Sequence, residues 1–388
     1  MKETEKINIV MFNMSSFSEW QSGIQNRNFH VLKNLRVNEK VDKILAVDYL
    51  PHSLKRALRN YKENIISQTD FKTIFRTPFS RAVEVDDKLT VYSSVLSKIS
   101  SDKFYREIKS LIKKLGLKNY LVWSYYPLEV GYFDKLSPRL FVFDTVDNWS
   151  EHPSYARQKE KLIQNYKIID QKADLIFTVA EPLQDLYGNK EKVHWIPNGV
   201  DLKHYQDNYP IVNRDIGEIK HPVIGYVGTI QDRLDQELLE YLVKTNPDKS
   251  FVMVGPVWYK EIAERFSNYA NIHFLGRKSY QEVPMYIQQF DLGIIPHKVD
   301  KFSESTNPMK VYEYLACGKP VVSTKGSGVE MFGDLIYTTN DFKEFNQKLN
   351  QALKDNNDDL KEKRLEVIKE HGWLKRVEQI LELILKKL

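Results

Sequence analysis

The stretch DLGIIPHKVDKFSESTNPMKVYEYLACGKPVVST, residues 291–324, holds the residue types best suited to chemistry. A strand-length apolar run, LGIIP, leads into a polar loop, a short helix and a second run, PVVST. Asn307 suits an N-cap, Pro308 the first helical position and Gly318 the residue just past the end, so the expected helix spans Pro308 to Cys317. Its unpaired N–H groups and positive dipole end form an anion site without a specialised side chain. Lys310 lies in the first turn, where the dipole disfavours a cation; an anionic ligand offsets that cost. Glu313 follows three residues later. On one reading the two are a solvated surface pair worth a few tenths of a kcal/mol. On the other, Lys310 meets a phosphate and Glu313 accepts hydrogen bonds from ribose hydroxyls.

The elements that must position this loop recur along the whole chain as short apolar runs between segments of helical periodicity. INIVMF (7–12), KILAV (43–47), YLVWS (120–124), LFVFD (140–144), LIFTV (175–179) and VHWIP (193–197) form one series. PVIGYV (222–227), SFVMV (250–254), NIHFL (271–275), LGIIP (292–296), PVVST (320–324) and LIYT (335–338) form a second. Continuous rather than alternating runs belong to parallel strands buried on both faces. The fold class is therefore α/β, with two Rossmann-like doubly wound domains facing across a cleft. The polar stretch 197–222, with three prolines, reads as the junction. The expected domains are residues 1–200 and 201–372. The tail WLKRVEQILELILKKL (373–388) carries one apolar stripe and is expected to pack back on the first domain, with membrane docking as its alternative. In doubly wound domains ligands lie beyond the carboxyl ends of the strands. Chemistry therefore belongs in the loops after LFVFD, PVIGYV, NIHFL and LGIIP. The absence of a G-x-G-x-x-G fingerprint argues against a nicotinamide dinucleotide.

The 388 residues include one cysteine, Cys317, which excludes a disulfide framework and any multi-cysteine metal site. Hydrophobic residues make up 42% and charged residues 28%, the balance of an ordinary globular enzyme. No segment reaches the ~20 apolar residues of a bilayer span. The start, MKETEKINIVMFNM, reads as a first strand rather than a signal peptide. The expected location is the cytoplasm, the inner face of the membrane included. Charge is uneven: residues 1–200 hold 31 Lys and Arg against 24 Asp and Glu, and the remainder 26 against 28. The surplus gathers in stretches such as SLKRALRNYK and REIKSLIKKLGLK. A solvated helix face accounts for it; the functional alternative is a weak peripheral contact with an anionic membrane. No signature of a nucleic-acid reader is present, and no nucleic-acid partner is expected. The acidic pair Asp86-Asp87 falls in an expected variable loop, and no metal is expected.

With these residues in view, STNPMKVYEYLACGKPVVST resembles the donor-binding segment of family-4 retaining glycosyltransferases of the two-Rossmann (GT-B) type, in the branch that includes teichuronic-acid-biosynthesis glycosyltransferases. WIPNGVDLKHY (195–205) is similar to that family's interdomain stretch. PVIGYVGTI (222–230) resembles the first strand and phosphate loop of its donor domain, and NIHFLGRKSYQEVPMYIQQFDLGIIP (271–296) its base-binding loop. SGIQNRNFHVLKNL (22–35) resembles the glycine loop and first helix of its acceptor domain. The resemblance covers most of the chain, and the order of the segments is what makes it specific.

The resemblance implies roles residue by residue. Glu313 matches the second glutamate of a paired-glutamate motif and would hold the ribose. The first glutamate's place is taken by Ser305, with Glu304 adjacent and out of register, so Ser305, Thr306 and Asn307 would hold the donor sugar. Gly228 and Thr229 match the loop that approaches the diphosphate. Arg233 is the one cation beyond that loop, and Lys310 would share its role. Arg277 matches the position beside the nucleobase. Gly23 matches the acceptor-side glycine, with Gln25, Asn26 and Arg27 following it. Asp144 and Asp147, after the strand LFVFD, are the expected catalytic pair at the sugar; a helix cap is the other reading of Asp147. His152 and His297 are secondary candidates.

The implied activity is transfer of a sugar from a nucleotide-diphosphate sugar, a UDP-sugar first, to a glycan or lipid-linked acceptor in surface polysaccharide or glycoconjugate assembly. It would proceed with retention of configuration and without a metal or other cofactor, with closure about residues 197–222 excluding water. The alternatives are a nucleotide-sugar 2-epimerase and a non-catalytic sugar-nucleotide-binding relative.

Overall fold

A computed structural model of the chain describes residues 6–50, 53–67, 70–207, 214–326 and 328–388. The first five residues of the opening segment, and residues 208–213 of the expected junction, lie outside the described residues. By its internal contacts the chain divides into two compact units. One comprises Met1–Thr178, Leu183–Ile196 and Val377–Leu388; the other comprises Val179–Pro182 and Pro197–Arg376.

The first unit holds a nine-stranded sheet: β1 (Ile7–Phe12), β2 (Val41–Val47), β3 (Lys72–Thr77), β4 (Ser80–Glu84), β5 (Leu89–Ser94), β6 (Leu121–Ser124), β7 (Leu140–Thr145), β8 (Leu175–Thr178) and β9 (Val193–Trp195). Their order is β3-β4-β5-β2-β1-β6-β7-β8-β9. From β5 to β9 every pairing is parallel, with Val10 opposite Leu45 on one side and Val122 on the other. The strand order reverses between β1 and β6, so a crevice opens at their carboxyl ends. The ribbon β3–β5 is antiparallel and was not expected from the sequence. KTIFRT and SRAVE mix charged with apolar residues and make no continuous run.

Helices cover the sheet where apolar residues fall on one face. In Ser101–Leu115, Phe104, Tyr105, Ile108 and Leu111 are buried. Ser100 caps its start by accepting from the Lys103 N–H, and Gly116 ends it in the left-handed region at φ 68°. In the terminal helix Trp373–Lys387 the side chains of Val377, Ile380, Leu381 and Ile384 are fully buried. Leu374 and Leu385 of the same expected stripe are exposed.

The second unit is an all-parallel sheet in the order β12-β11-β10-β13-β14-β15. Its strands are β10 (Val223–Val227), β11 (Ser250–Val254), β12 (Ile272–Gly276), β13 (Leu292–Ile295), β14 (Val321–Ser323) and β15 (Tyr337–Thr338). Val223 and Val227 enter one core and Ile224 and Tyr226 the other, so both faces are covered. Helices come close to the strands at two glycines. A Cβ on Gly225 would lie 2.1 Å from the Phe290 ring, and one on Gly293 would lie 2.4 Å from that of Tyr314. The switch point falls between β10 and β13, at the loops that carry Gly228 and His297.

Candidate functional site

In the second unit, the loop after β10 meets the helix before β14 at Gly228 and Lys310. Gly228 adopts φ 137°, a region open to glycine and strained for other residues. A Cβ there would lie 3.1 Å from the Nζ of Lys310. That ammonium donates to the Tyr226 hydroxyl at 3.1 Å and to Nε2 of His297 at 3.2 Å, and it lies 4.3 Å from the centre of the Tyr226 ring. Burial, the neighbouring Lys310 and Arg233 together hold the His297 imidazole far below its usual pKa. The ring is therefore neutral, and in the tautomer with its proton on Nδ1 the Nε2 accepts from the ammonium. Burial, then Arg233, lowers Lys310 to about 7, with Glu313 pulling the other way. A half-buried ammonium balanced near neutrality is stabilised by any anion that reaches it.

The helix itself departs from expectation. It spans Met309–Ala316, its cap is Pro308, and no side chain caps it. Asn307 is not the N-cap; its Oδ1 accepts from the Asn198 N–H and the Tyr312 hydroxyl, both at 2.9 Å. Asn198 returns a bond to the Asn307 carbonyl at 2.7 Å. An N-P pair after Ser-Thr reads as a cap locally, but a partner 109 residues away takes the side chain. The result leaves the helix start without a side-chain acceptor, and an anion is what would complete it. Gly318, at φ 69°, closes the other end as a left-handed residue.

Ser305 and Thr306 are buried, and their hydroxyls turn inward. The Ser305 Oγ donates to the Phe302 carbonyl and the Thr306 Oγ1 to the Ser303 carbonyl, both at 2.8 Å. Their donors are thus committed within the loop, although each oxygen keeps acceptor capacity. Thr306 also lines a small pocket, about 20 Å³ in volume, with His297, Pro308, Ser323 and Thr324. Arg233 stacks over the Phe302 ring at 5.0 Å. Thr229 is half-buried, and its carbonyl accepts from the Tyr226 hydroxyl at 3.3 Å. Arg277 is exposed, just after the left-handed Gly276. Glu313 is half-buried; burial raises its pKa, while the Tyr205 hydroxyl bonded to it and the Lys310 charge hold it back.

In the first unit, Arg27 and Asp144 form a buried pair. Nε of Arg27 lies 2.9 Å from one carboxylate oxygen and 3.1 Å from the other, with side-chain exposures of 2% and 0%. Burial raises the Asp144 pKa, and Arg27 and the Tyr125 hydroxyl restrain it. Asp144, expected at the sugar, is thus fully buried and committed to Arg27. Asp147, three residues on, is half-buried. The turn after it is capped by its neighbour: Asn148 Oδ1 accepts from the Ser150 N–H at 3.1 Å. His152 Nδ1 accepts from the Ser154 N–H at 3.0 Å and so serves as a cap.

Gly23 has φ 88°, and Asn26 caps the helix Arg27–Val37 by accepting from the Phe29 N–H. The Gln25 Oε1 is buried with no hydrogen-bond partner among the described residues. Among those residues no three His, Cys, Asp or Glu side chains lie together as a metal site would need. Tyr226, Tyr205 and Tyr125 were not singled out from the sequence. Tyr226 sits in an apolar strand two residues before the glycine loop, and that position was its only signal.

Comparison with known proteins defines the class of the fold. Anabaena HepE in complex with UDP-glucose superposes with a TM-score of 0.67 at 15% identity, covering 98% of this chain and 100% of that one. Sucrose-phosphate synthase from Thermosynechococcus elongatus gives 0.69 at 15% identity, covering 98% and 99%. The two-domain α/β architecture is the GT-B fold of those structures. Residues 221–355, within the second unit, match the family model described as Glycosyl transferases group 1. Among curated proteins, the chain is 29% identical over 201 residues to TuaH of Bacillus subtilis (strain 168), whose name as a teichuronic acid biosynthesis glycosyltransferase is provisional. That match covers 47% of this chain and 50% of TuaH. An uncharacterized glycosyltransferase of Methanocaldococcus jannaschii is 31% identical over 147 residues, 37% of each chain. The matches thus span half or less of these relatives' lengths.

Proposed function

We propose that the protein is a glycosyltransferase that moves a sugar from a nucleoside-diphosphate sugar, a UDP-sugar first, to a glycan or lipid-linked acceptor in surface polysaccharide or glycoconjugate assembly. The observation that carries this reading is the Lys310 ammonium held against Gly228 at a helix start that no side chain caps. That arrangement suits a diphosphate: backbone amides and a dipole on one side, a positioned cation on the other. The group 1 match over residues 221–355 and the UDP-glucose complex of Anabaena HepE support it.

In this reading Glu313 accepts from the ribose hydroxyls and Arg277 lies beside the base. Gly228 and Thr229 approach the diphosphate, with Arg233 assisting Lys310. Cleavage of the anomeric carbon–oxygen bond leaves negative charge on the departing diphosphate oxygen, and Lys310 stabilises that charge as it develops. The acceptor hydroxyl forms the new bond on the same face, with retention, and its proton passes to the departing phosphate oxygen. No step calls for a metal. Ser305, Thr306 and Asn307 shape the sugar's side of the loop. In the first unit Asp147, with Gly23 and Gln25, is proposed as the polar surface toward sugar and acceptor, and Asp144 as a positioning residue that holds Arg27.

The test is incubation with a panel of UDP-, GDP-, dTDP- and ADP-sugars, scored first by thermal shift and then by product analysis with glycan and lipid-linked acceptors. Stabilisation by one nucleotide sugar and acceptor-dependent release of its nucleotide are expected. An epimerised donor formed without acceptor would overturn the transfer reading.

A further inference from the structure

The first unit carries a surface helix whose outward face mixes two kinds of side chain. Leu54–Asn60 continues as a π-helical turn, Tyr61–Ile66. Leu54, Leu58 and Ile66 are 82%, 71% and 51% exposed, four and eight residues apart. Lys55, Arg59 and Lys62 are exposed between them. The opposite face is firmly held. Asn64 and Ile65 are buried, Asn60 Nδ2 donates to the Tyr49 carbonyl at 2.9 Å, and Arg81 reaches the Ile65 carbonyl. Single exposed apolar residues are common, but two leucines one turn apart with Ile66 further along, interleaved with Lys55, Arg59 and Lys62 and with one acid, Glu63, paired to Arg59 at 2.9 Å, form an exposed apolar and basic stretch.

The charge around it has the same sign. Residues 51–150 hold 17 Lys and Arg against 11 Asp and Glu. Among the described residues no helix is long and apolar enough to cross a membrane. Leucines gain nothing on a nucleic-acid backbone, whereas leucines between snorkelling lysines suit a bilayer boundary. The helix is also tied to the glycine loop of the same unit. Arg56 pairs with Glu19, whose carboxylate closes the capping box of the helix Phe17–Gln21, and Gly23 follows that helix directly.

We propose that Leu54–Ile66 is an interfacial anchor. Leu54, Leu58 and Ile66 enter the headgroup–acyl boundary of an anionic bilayer, and Lys55, Arg59 and Lys62 lie on its lipid phosphates. Docking stands without the transfer reading. What rests on that reading is the consequence that a lipid-linked acceptor arrives beside the Gly23 loop.

The test is co-sedimentation of the full chain, without nucleotide, with vesicles of phosphatidylglycerol and phosphatidylcholine and with vesicles of phosphatidylcholine alone. Binding to the anionic vesicles, weakened by salt, and little binding to the neutral ones is expected. The double variant Leu54→Ser, Leu58→Ser should lose at least about tenfold in partitioning. The triple variant Lys55→Gln, Arg59→Gln, Lys62→Gln should also lose binding, and Lys109→Gln, Lys113→Gln on another exposed helix face should keep it. Unchanged nucleotide-sugar affinity of the leucine variant shows that it folds and keeps the donor question separate. Wild-type partitioning by the leucine variant, or equal loss in the Lys109 and Lys113 control, overturns the proposal. So does binding to an oligonucleotide that survives the leucine changes and exceeds binding to vesicles.

Discussion

Nε2 of His297 lies 3.2 Å from the Nζ of Lys310; burial keeps the imidazole neutral, and with its proton on Nδ1 the ring accepts from the ammonium. The pair fixes where the ammonium sits, and the titration of Lys310 sets when it is charged. Unfolded, a lysine titrates near 10.5; here it is lowered to about 7. Below pH 7 both states are protonated and folding carries the full cost of the buried charge. Between about pH 7 and 10.5 the unfolded chain binds one more proton, so this group's contribution to stability rises with pH.

Ligand binding should run the other way. A UDP-sugar, whose diphosphate does not titrate in this range, needs the charged ammonium. Its affinity should be flat below pH 7 and fall by up to about tenfold per pH unit above it. Calorimetry in buffers of different ionisation heat should show proton uptake on binding. Flat affinity from pH 6 to 9 would remove Lys310 from the diphosphate.

Glu313→Ala should weaken binding of the nucleotide and of the nucleoside alike, since a charge-assisted hydrogen bond contributes about 1.5–3 kcal/mol. Titration calorimetry with UDP and with uridine checks this. Undiminished uridine binding would place the ribose elsewhere.

The two aspartates after β7 should separate cleanly. Asp144→Ala strands the buried Arg27 without its carboxylate and should cost about 3–5 kcal/mol in denaturant unfolding. Asp147→Ala should change stability by less than about 0.5 kcal/mol and reduce turnover. A stable Asp144→Ala protein, or full turnover by Asp147→Ala, would reverse those roles.

Gly228→Ala should fold and bind poorly. The new Cβ is strained at φ 137° by about 1–3 kcal/mol and sits 3.1 Å from the ammonium it would displace. Nucleotide-sugar affinity measured beside the melting temperature decides the point, and wild-type affinity would mean that the loop does not face the ligand.

Much of the scaffold can be read directly from the residues. The central parallel strands are buried on both faces, so LFVFD or PVIGYV announces itself as a continuous apolar run. The ribbon β3–β5 does not, because KTIFRT is a partly exposed edge strand with charges and SRAVE buries Arg81 among its apolar residues. Local grouping is partly legible too: spacing marks the helix start that carries Lys310 and Glu313, and the structure sets Lys310 beside Gly228. What was not legible is pairing across the chain. Nothing local in DTVDNWS indicates that Arg27, 117 residues earlier, encloses Asp144. Nor does STNPMK reveal that Asn198 captures Asn307 and takes away the expected cap.

The most direct measurement of the central claim is the affinity of the wild-type protein and of Lys310→Ala for a stabilising UDP-sugar and for uridine, by calorimetry at pH 6.5. The variant should lose at least about tenfold for the UDP-sugar, about 1.4 kcal/mol or more, and keep its affinity for uridine. Equal UDP-sugar affinity in the two proteins would show that the cation at the helix start holds no diphosphate.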